Sequence, residues 1–437
     1  MIKVMDNLVS SADVLTDVKE LRQQVSLIVK NTPVIDVHTH VYPPEFKSMC
    51  LYGIDDLLTY HYLIAEIFRS SRVSYAGFWK MTKAERADLI WKTLFVENTP
   101  MSEACRGIIW VLESFGLDTR APNLREARSF FNSRNLPGHL DLVLKTARVS
   151  DVVMTNDPLH EAEAQVWMSG VKVDGRFHSS LRLDTLLNHW PDASRILARQ
   201  GIPVNTELTR HTIDELRRFL DVWLERTHPL YLAVSLPADF KYPHDDARDR
   251  LIREVVLPTV RQHNLALTLM IGVRRGVNPA LRAAGDGMGK ADVMMLERLC
   301  AENPDVRILA TFLSRENQHE LCVAARKFNN LMPFGCWWFL NNPSIISEIT
   351  RARFELLGPS FIPQHSDARV LEQLIYKWGH ARQIIADVLA DAYEQLLESG
   401  RAVTREEITR DVNRMLSGNF REWVGLPSVG AQIEAVQ

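Results

Sequence analysis

Two histidines one residue apart, His38 and His40, are the first residues in the chain whose spacing could do chemistry. They end a segment in which apolar residues follow Pro33, a pattern typical of a β-strand. Side chains alternate faces along a strand, so both imidazoles are expected on the same face. Two imidazoles at the end of a strand could hold one metal ion, and Zn²⁺ is the usual choice for nitrogen ligands. On its own, a His-x-His pair more often consists of polar surface residues than of metal ligands. Evidence from the rest of the chain is therefore needed to interpret it as a metal site.

The first strand is followed by a long stretch, residues 45–148, with helical patterning and few strand signals, which predicts a helical insertion. Residues 1–30 are expected to form an amphipathic opening helix. From residue 149 onwards, short apolar runs alternate with longer amphipathic segments. The runs predict strands at residues 149–154, 177–181, 230–234, 265–271, 306–312, 332–336 and 361–363.

With the first strand, these runs give eight βα units, which favours a closed (β/α)₈ TIM barrel. The expected organisation is one α/β domain over residues 1–437, with the helical insertion inside it. An open doubly wound sheet is the alternative, but no GxGxxG motif follows any predicted strand.

Asp367 follows the last predicted strand, which lies next to the first strand when a barrel closes. Its carboxylate can therefore meet His38 and His40. Two histidines and one carboxylate leave an open coordination position, as catalytic metal sites do. The alternative for Asp367 is an N-cap of the helix predicted directly after it. His365 and His319 are further candidate ligands, although single histidines are more often hydrogen-bonded structural residues.

Three arginines and two tryptophans also follow predicted strand ends, and we expect them to bind substrate. They are Arg182, Arg274, Arg369, Trp337 and Trp338. Because arginine recognises carboxylates in a planar, bidentate manner, three arginines facing a metal suggest an anionic substrate. The alternatives are that each arginine pairs with a neighbour, as Arg182 could with Asp184 or Asp157, and that the tryptophans serve packing.

Composition excludes several classes of partner. The chain has 437 residues, 46% of them hydrophobic, and a formal net charge of −3, so neither nucleic acid nor an anionic membrane is expected as partner. No stretch of about 20 apolar residues could span a bilayer. The N-terminus lacks the pattern of a signal peptide. Five cysteines without a CxxC pair suggest reduced thiols of a cytoplasmic protein. Large barrel enzymes often form homo-oligomers, which we expect here as well.

Seven motifs carry a resemblance to a known family. They are Asp36-Val37-His38-Thr39-His40, Thr59-Tyr60-His61-Tyr62, Thr155-Asn156-Asp157-Pro158, Leu181-Arg182-Leu183-Asp184, the run from Leu313 to Leu321, Gly335-Cys336-Trp337-Trp338-Phe339 and His365-Ser366-Asp367-Ala368-Arg369. Together they resemble the uronate isomerase family of the amidohydrolase superfamily, and within it a shorter bacterial branch. The resemblance implies a distorted (β/α)₈ barrel with a helical insertion and one divalent metal, usually zinc.

The implied reaction interconverts D-glucuronate with D-fructuronate and D-galacturonate with D-tagaturonate. By position in the motifs, the metal ligands would be His38, His40 and Asp367. His61 and Tyr62 would close over the sugar from the insertion. Arg182 and Arg369 would contact the substrate carboxylate or hydroxyls. One departure from the family is Met270, which stands where longer relatives have a histidine.

An aldose–ketose isomerase moves a proton between C2 and C1 through an enediol, which needs a base and an electrophile. Our hypothesis makes Asp367 the base and Tyr62 the second proton carrier, with His61 assisting ring opening. Arg369 and the metal would stabilise the enediolate, and Arg182 would hold the C6 carboxylate. A hydride shift is the mechanistic alternative.

Two other function classes remain. A mononuclear metal-dependent hydrolase acting on a carboxylate-bearing sugar or lactone is the first. Resemblance argues against a two-metal hydrolase, because Leu236, Met270 and Leu313 stand where its additional ligands would be. A non-catalytic sugar-acid binder ranks last, because all three candidate metal ligands are present.

Overall fold

A curled sheet of seven parallel strands forms the centre of the computed structural model, which describes residues 14–427. The strands of the chain are β1 Val14–Leu15, β2 Val34–Thr39, β3 Val149–Asn156, β4 Phe177–Arg182, β5 Tyr231–Pro237, β6 Ala266–Arg274, β7 Gly287–Met288, β8 Ile308–Phe312, β9 Leu331–Pro333 and β10 Val403–Thr404. The parallel order is β2-β3-β4-β5-β6-β8-β9. The short β7 pairs antiparallel with the end of β6, and β1 pairs with β10 in a separate ribbon.

The first seven predicted strands are present, but the eighth is not a strand. Residues 361–363 form only an isolated bridge between Phe334 and Ile362. Pro363 lacks the N–H that a ladder would need at this point. On its other side the segment bonds to β2, where the Asp367 N–H donates to His38 O at 3.2 Å and the His40 N–H to Ala368 O at 2.7 Å. Single hydrogen bonds therefore connect β9 to β2 through this segment.

Helices surround the sheet and fill the long connection between its first two strands. They are α1 Val18–Asn31, α2 Ile54–Thr59, α3 His61–Ser70, α4 Tyr75–Lys80, α5 Lys83–Trp91, α6 Glu103–Ser114, α7 Arg125–Asn132, α8 Leu136–Ala147, α9 Glu161–Met168, α10 Asp184–Asn188, α11 Trp190–Arg199, α12 Arg210–Thr227, α13 Ala247–Leu251, α14 Leu257–Gln262, α15 Met294–Glu302, α16 Gln318–Ala325, α17 Pro343–Leu357, α18 Gln373–Glu398, α19 Arg405–Asn413 and α20 Asn419–Val424. The predicted helical stretch at residues 45–148 holds α2 to α8. Of the predicted opening helix, residues 18–30 lie in α1, whereas Val14–Leu15 form β1 because they pair with β10. Residues 1–13 lie outside the described part.

Local sequence signals explain where these helices begin. At α5, Thr82 accepts a hydrogen bond from the Glu85 N–H, and the Glu85 carboxylate accepts one from the Thr82 N–H. This capping box satisfies two of the N–H groups that a helix start leaves without a partner. None of the helices between residues 14 and 427 is long and apolar enough to cross a membrane.

Gly335, directly after β9, is fixed by both its backbone and its surroundings. Its φ is +65°, and a Cβ atom there would lie 1.8 Å from Cδ2 of His365. We expect Gly335→Ala to lower the free energy of unfolding by at least about 3 kcal/mol, because strain and a steric clash add. Gly116→Ala is the matched control, since Gly116 has φ +69° but no atom within 4 Å of the added Cβ.

Gly116→Ala should lower the free energy of unfolding by about 1 kcal/mol, because it adds only the strain of the left-handed backbone conformation. Urea unfolding followed by tryptophan fluorescence measures both values. Equal losses in the two variants would contradict the clash.

Candidate active site

His38 and His40 meet Asp367 where β2 ends. The Nε2 atoms of His38 and His40 lie 3.5 and 3.6 Å from the same carboxylate oxygen, Oδ1 of Asp367. Ligands at the usual Zn–N and Zn–O distances in a tetrahedral site are about 3.4 Å apart. The ligand atoms of the three residues all lie within 4.8 Å of one another. This group has the donor set and the spacing for one divalent metal ion.

A threonine of the neighbouring strand fixes the ring of His40. The Thr155 hydroxyl lies 3.2 Å from Thr39 O and 2.8 Å from Nδ1 of His40. A hydroxyl has one proton, so if Thr155 donates it to the carbonyl, it must accept from Nδ1–H of His40. The lone pair of His40 is then on Nε2, the atom that faces Asp367. Such an outer hydrogen bond is what orients a metal-binding imidazole.

The charges of His40 and Asp367 also suit a metal. Burial lowers the pKa of His40, and the positive charge of Arg369 lowers it further, so the ring is neutral. Burial opposes ionisation of Asp367, but the neighbouring imidazoles outweigh it and lower the pKa of this carboxyl on balance. Neutral imidazole and ionised carboxylate are the forms that bind a metal.

Asp36 places Asp367 against the histidines. Its side chain is fully buried, and it accepts hydrogen bonds from the Ser366 N–H at 3.0 Å and from Nε1 of Trp378 at 2.9 Å. One carboxylate thus connects β2, the segment that replaces the eighth strand, and helix α18. Asp367 itself has φ +50°, an uncommon backbone conformation that these contacts hold in place.

The three residues lie in a cavity of about 450 Å³. Strands of the curled sheet, the helical stretch between β2 and β3 and the loop after β6 all contribute to its wall. Its charged lining consists of Arg86, Arg182, Arg275, Arg282, Arg369, Asp184, Asp286 and Asp367. Five arginines against three aspartates leave an excess of two positive charges, before any metal is counted. An anionic ligand fits such a cavity better than a neutral one.

Most of the residues predicted for the site line this cavity: His61, Arg182, Trp337, Trp338 and Arg369, besides the three candidate metal ligands. Burial lowers the pKa of His61 to about 3, so this ring is neutral and can donate or accept a hydrogen bond. Tyr62 is not among the lining residues. Its hydroxyl is buried without a hydrogen-bond partner among residues 14–427, and Tyr60 takes the adjacent place in the wall.

Arg274 is exposed and lies outside the cavity, whereas the next residue, Arg275, lines it. The reason is a shift in the pairing of β6 with β5, which skips Gly272. Met270 and Val273 therefore share the inner apolar cluster, while Ile271 belongs to an outer one. Strict alternation would have turned residue 274 inward, but one extra residue reverses the face.

The alternatives from the sequence are resolved as follows. Asp367 is not the N-cap of the next helix, since α18 begins at Gln373 with Glu372 as its N-cap. His319 is exposed. His365 is buried and stacks edge-on against His38 at 5.2 Å, outside the three-residue ligand group.

Arg182 both lines the cavity and donates to Asp184 at 2.8 Å. The two readings of this arginine are therefore compatible. Met270, which replaces the histidine of longer relatives, also lines the cavity.

Several lining residues were not singled out from the sequence: Tyr60, Arg86, Arg275, Arg282 and Asp286. Arg86 belongs to the insertion, and the last two to the loop after β6. Neither region carries a strand-end signal, so only the folded chain brings them to the cavity.

The hydrogen bond between Thr155 and His40 makes a prediction for metal binding. Thr155→Val removes the hydroxyl at nearly constant volume, so the His40 ring loses its orientation. We expect metal affinity to fall about 10-fold to 100-fold. Equilibrium dialysis with Zn²⁺ measures this.

Thr268→Val on β6 is the matched control, because its buried hydroxyl has no partner among the described residues. The control should bind as the unmodified protein does. An unchanged affinity in Thr155→Val would exclude this role of the threonine.

No protein-family model and no curated protein matches this chain. Among solved structures, a uronate isomerase from Bacillus halodurans C-125 is 50% identical, with a TM-score of 0.94, over 96% of this chain and 100% of that one. A glucuronate isomerase from Caulobacter crescentus has 15% identity and a TM-score of 0.75, over 98% of each chain.

A uronate isomerase from Thermotoga maritima has 15% identity and a TM-score of 0.74, over 95% of this chain and 99% of that one. The last two likenesses concern the fold alone. The first extends over the whole length of its relative at an identity that defines a family. The resemblance seen in the motifs is therefore confirmed, and the chain belongs to the uronate isomerase family.

Proposed function

We propose that this isomerase interconverts D-glucuronate with D-fructuronate and D-galacturonate with D-tagaturonate, moving a proton between C2 and C1 through an enediol. The observation that carries the proposal is a buried His-His-Asp group in a cavity with an excess of two positive charges. The chain that contains this group is 50% identical to a uronate isomerase. A sugar acid offers hydroxyls to the metal group and a carboxylate to the arginines.

His38, His40 and Asp367 would hold one divalent metal, which we propose to be zinc. When bound there, the metal would polarise the substrate carbonyl as a Lewis acid. With three protein ligands, a fourth position remains for substrate.

Asp367 is the proposed base at C2. A carboxylate with a lowered pKa is a weak base. Asp367 can therefore act as the base only if its interactions with the neighbouring imidazoles weaken when substrate binds, so that its pKa rises. Tyr62 and His61 are the proposed partners for the second proton and for ring opening. His61 lines the cavity, and its Nε2 atom is buried without a hydrogen-bond partner among the described residues, which supports a ligand as its partner. Tyr62 does not line the cavity, so its proposed role rests on the resemblance of the motif Thr59-Tyr60-His61-Tyr62 to the family.

The remaining proposed contacts bind and orient the sugar. Arg369 would stabilise negative charge on the enediolate, Arg182 would donate to the substrate, and Trp337 and Trp338 would line its path. The indole N–H of Trp338 is also buried without a partner in the described residues. Arg274 is left out of this set because it is exposed.

We further propose that the curled sheet and residues 361–368 make up a distorted (β/α)₈ barrel of amidohydrolase type. The chain would be one domain, 1–437, with residues 45–148 as its insertion. Five buried free cysteines support a cytoplasmic location. We also propose a homo-oligomer, and this rests only on the general observation that large barrel enzymes often form homo-oligomers.

The test is incubation of zinc-loaded protein with D-glucuronate and D-galacturonate, followed by chromatography of the ketose. We expect conversion in both directions. Asp367→Asn should lower kcat about 10²-fold to 10⁴-fold, the usual contribution of a base. Asp141→Asn, an exposed carboxylate, is the control and should keep full activity.

The alternative function is a mononuclear hydrolase. It predicts no ketose from either uronate, together with metal-dependent hydrolysis of a sugar lactone such as D-glucuronolactone. That outcome would overturn the isomerase proposal.

A further inference from the structure

A second cavity, of about 470 Å³, lies at the edge of the sheet where the strands begin. Its wall is made by the C-terminal ends of α1, α6 and α8 and by the middle of α18, and it includes Arg148, the residue directly before β3. Parallel strands begin at one edge of a sheet and end at the other, and the six residues of β2 span about 20 Å. This cavity is therefore separate from the one that contains His38 and His40, and the two share no lining residue.

All charged side chains in the wall of the second cavity are positive. They are Lys30, Arg148 and Arg382, and the wall contains no aspartate or glutamate. Among residues 14–427, no carboxylate oxygen lies within 4.0 Å of the charged group of any of the three. The candidate active site differs in this respect, because three aspartates line it. We call this second cavity the basic cavity.

Arg382 is the buried cation of the basic cavity, with 7% of its surface exposed. Its two terminal nitrogens donate to three carbonyl oxygens, those of Val29 and Thr32 at 2.7 Å and that of Arg148 at 3.0 Å. Its Nε atom is buried without a hydrogen-bond partner among the described residues. Burial, and after it the charge of Arg148, lowers the pKa of Arg382 to about 10. Because a buried cation without an anion is unfavourable, a negative charge in the cavity would stabilise it.

The helices that end at the basic cavity offer a structural explanation for its cations. Helices α1, α6 and α8 end at Asn31, Ser114 and Ala147, and cations are favourable near helix C-termini. Each C-terminus carries about half a negative charge, so the three helix ends balance about half of the charge of the three side chains. An excess of about 1.5 positive charges is left. A phosphate group, with a charge of about −1.5 to −2 at pH 7, would neutralise this excess.

Trp110 gives the basic cavity an aromatic surface. Its ring lies against the backbone of α18 at Gly379, where a Cβ atom would come within 2.6 Å of Cζ2 of the indole. Packing of α6 against α18 accounts for the buried part of the ring. The residue is nevertheless 39% exposed, and it lines the cavity. The exposed part offers a flat apolar face on which a ring can stack.

We propose that the basic cavity binds a small phosphate monoester that carries a flat ring, at a site separate from the reaction centre. The phosphate would lie between Lys30 and Arg148, near the buried charge of Arg382, with the ring against Trp110. Three cations exceed what one carboxylate neutralises, and a phosphate offers three strong acceptor oxygens. The volume of the cavity lies within the usual range for small-molecule sites, about 300 to 1,000 Å³. This proposal does not depend on the reaction proposed above.

Isothermal titration of the zinc-loaded protein with three probes tests the site. Phenyl phosphate carries both the ring and the dianion, inorganic phosphate carries the charge without the ring, and benzoate carries the ring with a single negative charge. Phenyl phosphate should bind most tightly, and each of the other two should bind about 10-fold more weakly. Its affinity should fall as the ionic strength rises, because Lys30 and Arg148 are exposed and their charges are screened by salt.

The variants change exposed residues of the cavity wall. Lys30→Met and Arg148→Met should each weaken phenyl phosphate binding about 10-fold, as loss of a charged hydrogen bond does. Trp110→Leu should weaken phenyl phosphate and leave inorganic phosphate within about 2-fold, because only the ring contacts the indole. Lys145→Met is the matched control, an exposed cation of α8 outside the cavity wall, and should bind as the unmodified protein does. Thermal unfolding of each variant separates lost binding from lost folding.

The candidate active site is also cationic, so the binding has to be assigned to one of the two cavities. Arg182→Met changes only the active-site cavity and should leave phenyl phosphate binding at the basic cavity intact. Binding that is lost in Arg182→Met and retained in Arg148→Met and Lys30→Met would overturn the proposal. The absence of phenyl phosphate binding to the unmodified protein at millimolar concentration would overturn it as well. Equal affinities for phenyl phosphate and inorganic phosphate would exclude the contact with Trp110.

Discussion

The buried carboxylate of Asp36 is the interaction on which the geometry of the site depends. It lies in β2 and bonds to the backbone of Ser366 and to the indole of Trp378, so it joins the first strand to the segment beside it. A buried carboxylate is costly to leave without partners, and burial raises the pKa of Asp36 despite these hydrogen bonds. The fold keeps this group because it aligns Asp367 with two histidines where no eighth strand exists to do so.

Electrostatics then divides the cavity into two ends. At the inner end, the neutral imidazole of His40 and the ionised carboxylate of Asp367 meet His38 in a group that could hold a metal ion, and Thr155 orients the ring of His40. At the outer end, the cavity is lined by the guanidinium groups of Arg86, Arg275 and Arg282, of which only Arg275 has a carboxylate partner among residues 14–427. The two ends lie on different elements, so only the folded chain brings them into one cavity.

The sequence predicts the strands well because apolar runs that alternate with amphipathic segments leave few other arrangements. His38, His40 and Asp367 follow from strand ends and from the neighbourhood of the first and last strands. The prediction for Arg274 was wrong because Gly272 is skipped in the pairing of β6 with β5, which reverses the face on which the following side chains lie. Neither the alternation of apolar residues nor the composition reveals such a shift. Arg282 could not be found because its position depends on contacts between the loop after β6 and the insertion, which are remote in sequence.

The most direct measurement of the central claim is the position of deuterium in the product. Zinc-loaded protein would be incubated with D-glucuronate in D₂O, and the ketose analysed by NMR. Proton transfer by a base that exchanges with solvent predicts deuterium at C1 of the D-fructuronate formed. Ketose without deuterium would contradict proton transfer by an exchanging base. No ketose at all, with metal bound, would contradict the assignment of this cavity to uronate isomerisation.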